Sequence, residues 1–368
     1  MTREELCSKR FEVLEAFSHL GNVKSCEKYG NGHINDTFLV VTEAKRYILQ
    51  RINDIVFPKP VQVMENIKGI TEYIKRKAKD NGKDPDRATL TVISTDSGEI
   101  YFKDSYGSYW RMYDFVEGTV AKEKANGIED FRCCAEAFGD FQSMLAGYPA
   151  NTLYETIANF HNTPVRFSNL LNAIKSDKAG RAELVKEEIE FALARKDFSE
   201  ILEKARENNE IPLRVTHNDT KLNNILFDKA SGKPICVIDL DTIMPGYSVN
   251  DFGDSIRFGA TTALEDEADL TKVNFDISLY ELYVKGFIEG AKGGLTQCEL
   301  DLLPIGAIMM TFECGMRFLT DYLEGDTYFR TSRPGHNLDR ARNQFKLVSD
   351  MEKKLPEMRE IVKKYSQN

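Results

Sequence analysis

The sequence predicts an α+β chain, β-rich over its first third and mainly helical thereafter, on three observations. Runs of β-branched and aromatic residues dominate up to residue 116, and apolar residues at steps of three and four dominate beyond it. The length of 368 residues is enough for two sizeable cores. A composition of 42% hydrophobic and 29% charged residues, with 11 Pro and 24 Gly, excludes a disordered, collagen-like or coiled-coil protein.

The elements follow in order. A polar stretch near Cys26 leads into the loop Tyr29-Gly-Asn-Gly-His-Ile-Asn35. Residues 37–41 and 46–51 are β-branched and aromatic runs around a short polar turn, which predicts an antiparallel pair. Val63, Ile67, Ile70 and Ile74 predict a helix over 61–77. Residues 90–93, 100–102 and 109–116 read as strands, the last ending at Glu117-Gly118. Ile128, Phe131, Ala135, Phe138, Phe141 and Leu145 then form one buried helical face that stops before Pro149. A second amphipathic helix is expected over 182–206, and residues 225–227 and 235–238 form a strand–turn–strand around Gly232-Lys-Pro234. From Ile256 onward the pattern is helical. The expected organisation is a small β-rich lobe over 1–114, a hinge near 113–118, and a larger α-rich lobe over 115–368.

Charge and cysteine usage narrow the function classes. With 49 Lys+Arg against 58 Asp+Glu the net charge is −9, which argues against a dedicated nucleic-acid or anionic-lipid binder. The seven cysteines are scattered and lack a CxxC pair, so neither a disulfide framework nor a zinc knuckle is expected. The first ten residues are too charged for a signal peptide. The longest apolar stretch, around 302–310, is interrupted by Pro304, and no membrane span is expected. A reducing cytoplasm is the expected location.

The chemistry sits in His217-Asn-Asp-Thr-Lys-Leu-Asn-Asn224 and in Val237-Ile-Asp-Leu-Asp241. Asp219 and Asn224 flank a turn, and Asp239 arrives at the end of the next strand. A hairpin of this length brings Asn224 and Asp239 to neighbouring positions. An amide oxygen beside a carboxylate is a hard-oxygen donor pair suited to Mg²⁺ completed by waters and phosphates. Asp and Asn are common in turns for backbone reasons alone, so neither residue carries the argument singly.

The spacing His-x-Asp-x-x-x-x-Asn is that of the catalytic loop in kinase-like phosphotransferases. The chain resembles the aminoglycoside phosphotransferase and choline kinase superfamily, and within it the N-acetylhexosamine 1-kinases. The loop at 29–35, the run Cys236-Val-Ile-Asp-Leu-Asp-Thr-Ile-Met-Pro-Gly246, the segment 247–259 and Gly315-Met-Arg-Phe-Leu-Thr-Asp-Tyr322 carry that resemblance. It implies a bilobal protein-kinase-like fold and an ATP- and Mg²⁺-dependent small-molecule kinase, most closely one acting on the anomeric hydroxyl of GlcNAc or GalNAc. The rivals are kinases for choline, homoserine, methylthioribose or an aminoglycoside and, from another class, a nucleotide-binding pseudokinase.

Roles follow from the resemblance position by position. Asp219 accepts or orients the proton of the attacking hydroxyl, and Lys221 steadies the γ-phosphate. Asn224 and Asp239 hold Mg²⁺, with Asp241 a second-metal or outer-shell ligand. His217 props the loop. Gly30, Asn31 and Gly32 cover the phosphates, although Asn35 stands where a third glycine is usual. The third strand has no lysine, so Arg51 takes the phosphate-pairing role, with Glu65 as its partner, or the nucleotide is gripped differently. Backbone groups of Tyr113, Asp114 and Phe115 receive adenine, while Trp110 and the Tyr113 ring belong equally well to a core. The sugar falls to Arg317 and Tyr328, with Phe258 near the N-acetyl group and His33 and Asn35 above; Asp321, Tyr322 and His336 are further candidates. The plain alternative for Arg317 is an i,i+4 ion pair with Asp321. Asp251-Phe-Gly253 spells a kinase metal signature but lies past the hairpin acid; Asp251 reads as structural and Asp254 as a substrate or loop contact.

Overall fold

The computed structural model describes residues 10, 12–30, 32, 34–122 and 127–367. Two compact units make up the chain: residues 1–122, 147–158 and 224–245 form one, and residues 123–146, 159–223 and 246–368 the other. The first unit therefore takes in two later stretches that lie within the expected 115–368 lobe.

The first unit is built on a six-stranded antiparallel sheet of β1 (Val23–Lys28), β2 (Asp36–Thr42), β3 (Arg46–Arg51), β4 (Val92–Ile93), β5 (Phe102–Lys103) and β6 (Tyr109–Asp114). The order is β1-β2-β3-β6-β4, with β5 also on β6. Alternation puts Phe38 and Val40, Tyr47 and Leu49, and Trp110 and Met112 on one face, where they bury together with Val13 and Phe17. Trp110 is thus a core residue, and its indole N–H donates to Asp104 at 2.9 Å. The helix expected over 61–77 is α1 (Pro60–Asp80); proline opens it where no N–H is needed, and Val63, Ile67, Ile70 and Ile74 are all buried. A three-stranded sheet of β7 (Thr119–Ala121), β8 (Ile225–Asp228) and β9 (Pro234–Val237) completes the unit, in the order β9-β8-β7.

Among the strands that sequence reasoning missed, β1 is the longest. Val23-Lys-Ser-Cys-Glu-Lys28 is an edge strand with no buried residue, so it carries no apolar alternation to read. Its presence turns the loop 29–35 into the connection of the first hairpin.

The second unit is helical, with α2 (Ile128–Leu145), α3 (Thr163–Ser176), α4 (Ser248–Gly259), α5 (Ile277–Ala291), α6 (Gln297–Glu324) and α7 (His336–Ser366). Helix α2 has the predicted bounds, but Ile128, expected in its buried face, is 67% exposed because it is the first residue of the helix. The single helix expected over 182–206 is instead broken into Lys186–Leu193 and Ile201–Glu207 with 3₁₀ turns before each. Pro304 does not interrupt its segment: α6 runs through it for 28 residues, losing one N–H. By length and hydropathy α6 meets the test for a membrane span, yet 83% of its most apolar window is buried inside the protein, and it serves as the unit's core helix. It crosses α4 at Gly253 and Gly306, where the backbones touch; a Cβ on Gly253 would stand 2.3 Å from the Gly306 carbonyl oxygen.

The start of α6 is set by a capping box between Thr296 and Glu299. Glu299 also binds Arg214 in bidentate fashion at 2.5 and 2.6 Å and accepts from the Ser248 hydroxyl at 2.6 Å, with its own side chain 1% exposed. Burial works against its charge, but Arg214, Ser248 and the Thr296 N–H outweigh that and hold the carboxyl below the usual glutamate range. A depressed acid contributes stability above its unfolded pKa and loses it as pH falls through the folded value. Glu299→Gln is therefore expected to cost about 3 kcal/mol at pH 7 by leaving Arg214 buried and unpaired. Urea titrations of both proteins should show that gap closing as pH drops below the ordinary glutamate range; a gap independent of pH would contradict the assignment.

Candidate active site

The division between the units falls inside the motif, between Asn223 and Asn224.

In the second unit a short strand, Arg214–Thr216, delivers the chain to the loop 217–223. His217 is fully buried, packs edge-on against Phe138 and Phe141, and accepts the Asp219 N–H on Nδ1 at 3.3 Å. It props the loop, as the sequence suggested. Asn218 adopts φ 64°, a left-handed turn that an asparagine tolerates. Asp251 holds this turn from α4: its carboxylate accepts the N–H groups of His217 and Asn218 at 2.9 and 2.8 Å and the Gln142 amide at 2.9 Å. Burial pushes Asp251 up from the ordinary aspartate value, against these donors. The Asp-Phe-Gly run is thus a brace for the loop. Asp254, one turn on, accepts the Thr220 N–H at 3.1 Å and pairs with Arg257, which makes it a loop contact. Burial opposes its ionisation, but Arg257, Lys221 and His161 outweigh burial and hold it below the usual range.

What this scaffold leaves partly exposed is the pair Asp219 and Lys221, 28% and 35% accessible, with the ammonium 2.5 Å from the carboxylate. Burial disfavours the lysine charge; Asp219 and Asp254 more than compensate, so Lys221 stays protonated above the ordinary lysine value.

Further along this unit, Arg317 lies on α6 with its guanidinium 5.4 and 6.0 Å from the rings of Phe329 and Tyr328. Asp321 is not its helical partner. It is buried and accepts the N–H groups of Thr327, Tyr328 and Phe329 and the Asn337 amide, folding the chain back so that Tyr328 stands 73% exposed. Phe258, on α4, is 51% exposed. Tyr322 is buried under Arg181, and His336 is buried between Ser332 and Asp266, so both are structural.

In the first unit the hairpin β8–β9 has Val237 opposite Ile225, and the Ile238 N–H donates to the Asn224 carbonyl at 2.9 Å. Asn224 and the residue before Asp239 are therefore directly paired, as the hairpin length implied. Asp239 is exposed and has φ 58°, ψ 59°, the left-handed start of a one-turn 3₁₀ helix, Leu240–Thr242. Among the described residues no group of three or more His, Cys, Asp or Glu side chains is arranged to enclose a metal ion. An amide and one exposed carboxylate match instead a site that Mg²⁺ completes with phosphate and water oxygens.

Asp241 is placed differently from Asp239. Its side chain is 2% exposed, with one oxygen on the Arg111 guanidinium and the other accepting from the Asn35 amide at 2.5 Å. Asn35 in turn accepts the Asn53 N–H at 3.0 Å, so it links the loop before β2 to this turn. Arg51 stands opposite Asp36 in the β2–β3 pair and binds it at 2.6 and 2.9 Å; its partner is Asp36 and not Glu65, which is exposed on α1. Around the expected hinge the N–H of Asp114 donates to Thr91 and that of Phe115 to Arg46, so these two donors are spent in the sheet and not open to adenine. The Tyr113 side chain is buried. Gly30, with φ 73°, and Gly32 lie in the open between β1 and β2, with space for close backbone approach to a ligand. Asn31 and His33 lie outside the described residues.

Three residues were overlooked at the level of sequence. Arg111 is the largest omission, although a lone charge inside the apolar strand Tyr109-Trp-Arg-Met-Tyr113 was a visible signal. Gln50 accepts from its Nε at 3.0 Å. Asn66, buried on α1, donates to the Ile243 carbonyl at 3.0 Å and pins the far end of the turn; nothing in the helical pattern marked it.

Solved structures share the fold over nearly the whole chain. An aminoglycoside phosphotransferase from Alicyclobacillus acidocaldarius superposes with a TM-score of 0.65 at 13% identity, over 96% of each chain. A microcompartment-associated aminopropanol kinase gives 0.63 at 14%, over 96% of this chain and 98% of the other. The GDP complex of aminoglycoside 2'-phosphotransferase-IIIa gives 0.53 at 15%, over 96% and 98%. The fold is the kinase-like α+β type, with a β-sheet N-terminal region and a helix-rich C-terminal one. The model of the phosphotransferase enzyme family, APH, matches residues 25–281, more than two-thirds of the chain, and to that family this chain belongs.

Proposed function

We propose that the chain is an ATP-dependent kinase of a neutral sugar, transferring the γ-phosphoryl group to the anomeric hydroxyl of an N-acetylhexosamine. The observation that carries the phosphotransfer reading is the Asp219–Lys221 pair, left accessible on a loop that Asp251 and Asp254 hold by the N–H groups of His217, Asn218 and Thr220. In the reaction the acceptor oxygen forms the new bond to Pγ, the Pγ–O bond to ADP breaks, and the hydroxyl proton passes to the Asp219 carboxylate. Lys221 offsets charge on the transferred group, which in a loose transition state counts for more than covalent assistance. Asn224 and Asp239 are the residues that would hold Mg²⁺, which supplies neutralisation of the phosphate charge. The GDP complex of a structural relative supports nucleotide use. Nucleotide contacts are assigned to the first-hairpin loop at Gly30 and Gly32 within residues 1–114.

Arg317 against two aromatic rings, with Tyr328 and Phe258 exposed, supports a sugar: planar donors suit hydroxyls, and rings suit a sugar face or an acetyl methyl. ³¹P NMR of ATP with GlcNAc, GalNAc, choline, aminopropanol, homoserine, methylthioribose and kanamycin tests this. A phosphate coupled to the anomeric proton is expected with a hexosamine; turnover of only the other acceptors would overturn the sugar assignment, and turnover of none would overturn the kinase assignment.

A further inference from the structure

The third strand carries no lysine, and the structure offers a buried cation one strand away. Gln50 on β3 and Arg111 on β6 are directly paired in register, and the Gln50 amide oxygen accepts from Arg111 Nε at 3.0 Å. Gln50 itself is fixed by donating to Thr37 at 3.0 Å. The other end of the guanidinium binds one oxygen of Asp241, while Asn35 holds the second. Both charged side chains are 2% exposed, so neither meets solvent or a ligand arriving from it. Asp241 lies in the middle of the 3₁₀ turn that Asp239 opens from a left-handed conformation. Few non-glycine residues hold such a φ unless the surroundings dictate it. Leu240 is buried beside it, and Asn66 holds Ile243 at the end of the turn. The guanidinium of Arg111 is a charged anchor on the turn itself, through Asp241.

We propose that Arg111 is a positioning residue for the metal-bearing turn: by clamping Asp241 it sets the direction in which the Asp239 carboxylate points, with Asn35 tying the same carboxylate to the loop ahead of β2. This rests on the proposed role of Asn224 and Asp239 toward a divalent cation. Arg111 contacts neither nucleotide nor metal, because its guanidinium is sealed between Gln50, Asp241 and the ring of Tyr113. Its action is on geometry, and Asp241 is thereby a structural anchor in place of a second metal ligand.

The test uses Arg111→Lys, which keeps the charge but cannot serve Gln50 and Asp241 with one planar fork. ADP binding to the full chain is measured calorimetrically with Mn²⁺ and again with EDTA, with a thermal melt as the folding control. The variant is expected to lose about tenfold of the Mn²⁺-dependent gain in ADP affinity, the size typical of a lost support behind a metal ligand, with metal-free ADP affinity within about twofold of wild type. An unchanged Mn²⁺-dependent gain overturns the proposal. An equal loss in EDTA also overturns it, since Arg111 would then act on the nucleotide itself. No Mn²⁺-dependent gain in the wild type overturns the metal reading of Asn224 and Asp239, a result distinct from either. Should Arg111→Lys not fold, Asn35→Ala leaves the ion pair intact and frees one Asp241 oxygen. A severalfold loss of the same gain is expected from it, and no loss counts against the proposal.

Discussion

Asp219→Asn is expected to lower kcat by about three orders of magnitude while leaving the KM for ATP within about threefold. The amide keeps the size of the carboxylate and its place on the loop, but it cannot take a proton and presents half as many acceptor oxygens to Lys221. The loop itself should not move, because its fold depends on Asp251, Asp254 and His217, none of which is altered. Asp219 is also partly exposed, so the melting temperature should change little. Steady-state rates at saturating acceptor and ATP measure the effect. A kcat within tenfold of wild type would remove Asp219 from the role proposed for it.

Asp239→Asn should produce a loss of comparable size with a different signature. The carboxylate at the mouth of the β8–β9 hairpin supplies the only negative charge in the Asn224–Asp239 donor pair, and without it two neutral amides remain. Loss of a residue merely supporting a metal ligand costs 10–100-fold in affinity, so loss of the ligand's own charge should weaken Mg²⁺ by at least about 100-fold. The dependence of rate on Mg²⁺ concentration should therefore shift strongly to the right for Asp239→Asn and stay in place for Asp219→Asn. Identical Mg²⁺ curves for the two variants would mean that the two acids do not have separate roles.

These variants differ from Glu299→Gln, whose effect is on stability and on its pH dependence. An acid in the sequence does not announce which kind it is. Asp219, Asp239, Asp241, Asp251 and Asp254 lie within 36 residues of one another and are chemically the same. Spacing separated Asp219 and Asp239 from the rest, because a catalytic loop and a hairpin are local objects whose geometry follows from chain length. Asp251 was likewise read as structural from its position past the hairpin acid; that it braces the loop came from the fold. Asp241 was not separable in that way. Its partners Arg111 and Asn35 lie 130 and 206 residues away along the chain, and only strand register brings them to it.

The same distinction runs through the fold. Apolar periodicity marked α1 and α2 to within a few residues, since a helix that packs on one side repeats its apolar residues every three or four positions. It failed at β1, an exposed edge strand, and at 182–206, where an amphipathic pattern conceals breaks between short helices. Pro304 was misread because packing against three other helices offsets the cost of a proline inside α6.

What the sequence determined by itself was therefore whatever depends on near neighbours: the helical faces, the His217–Asn224 motif, and the approach of Asn224 to Asp239 across a tight hairpin. What tertiary structure decided was which charges are used up in pairing. Arg51 goes to Asp36, Arg111 to Asp241, and Asp321 to three backbone N–H groups in place of Arg317. The physical reason is that a buried charge must find a partner wherever the fold supplies one, and the choice among partners far apart in the chain is made by strand register and helix packing.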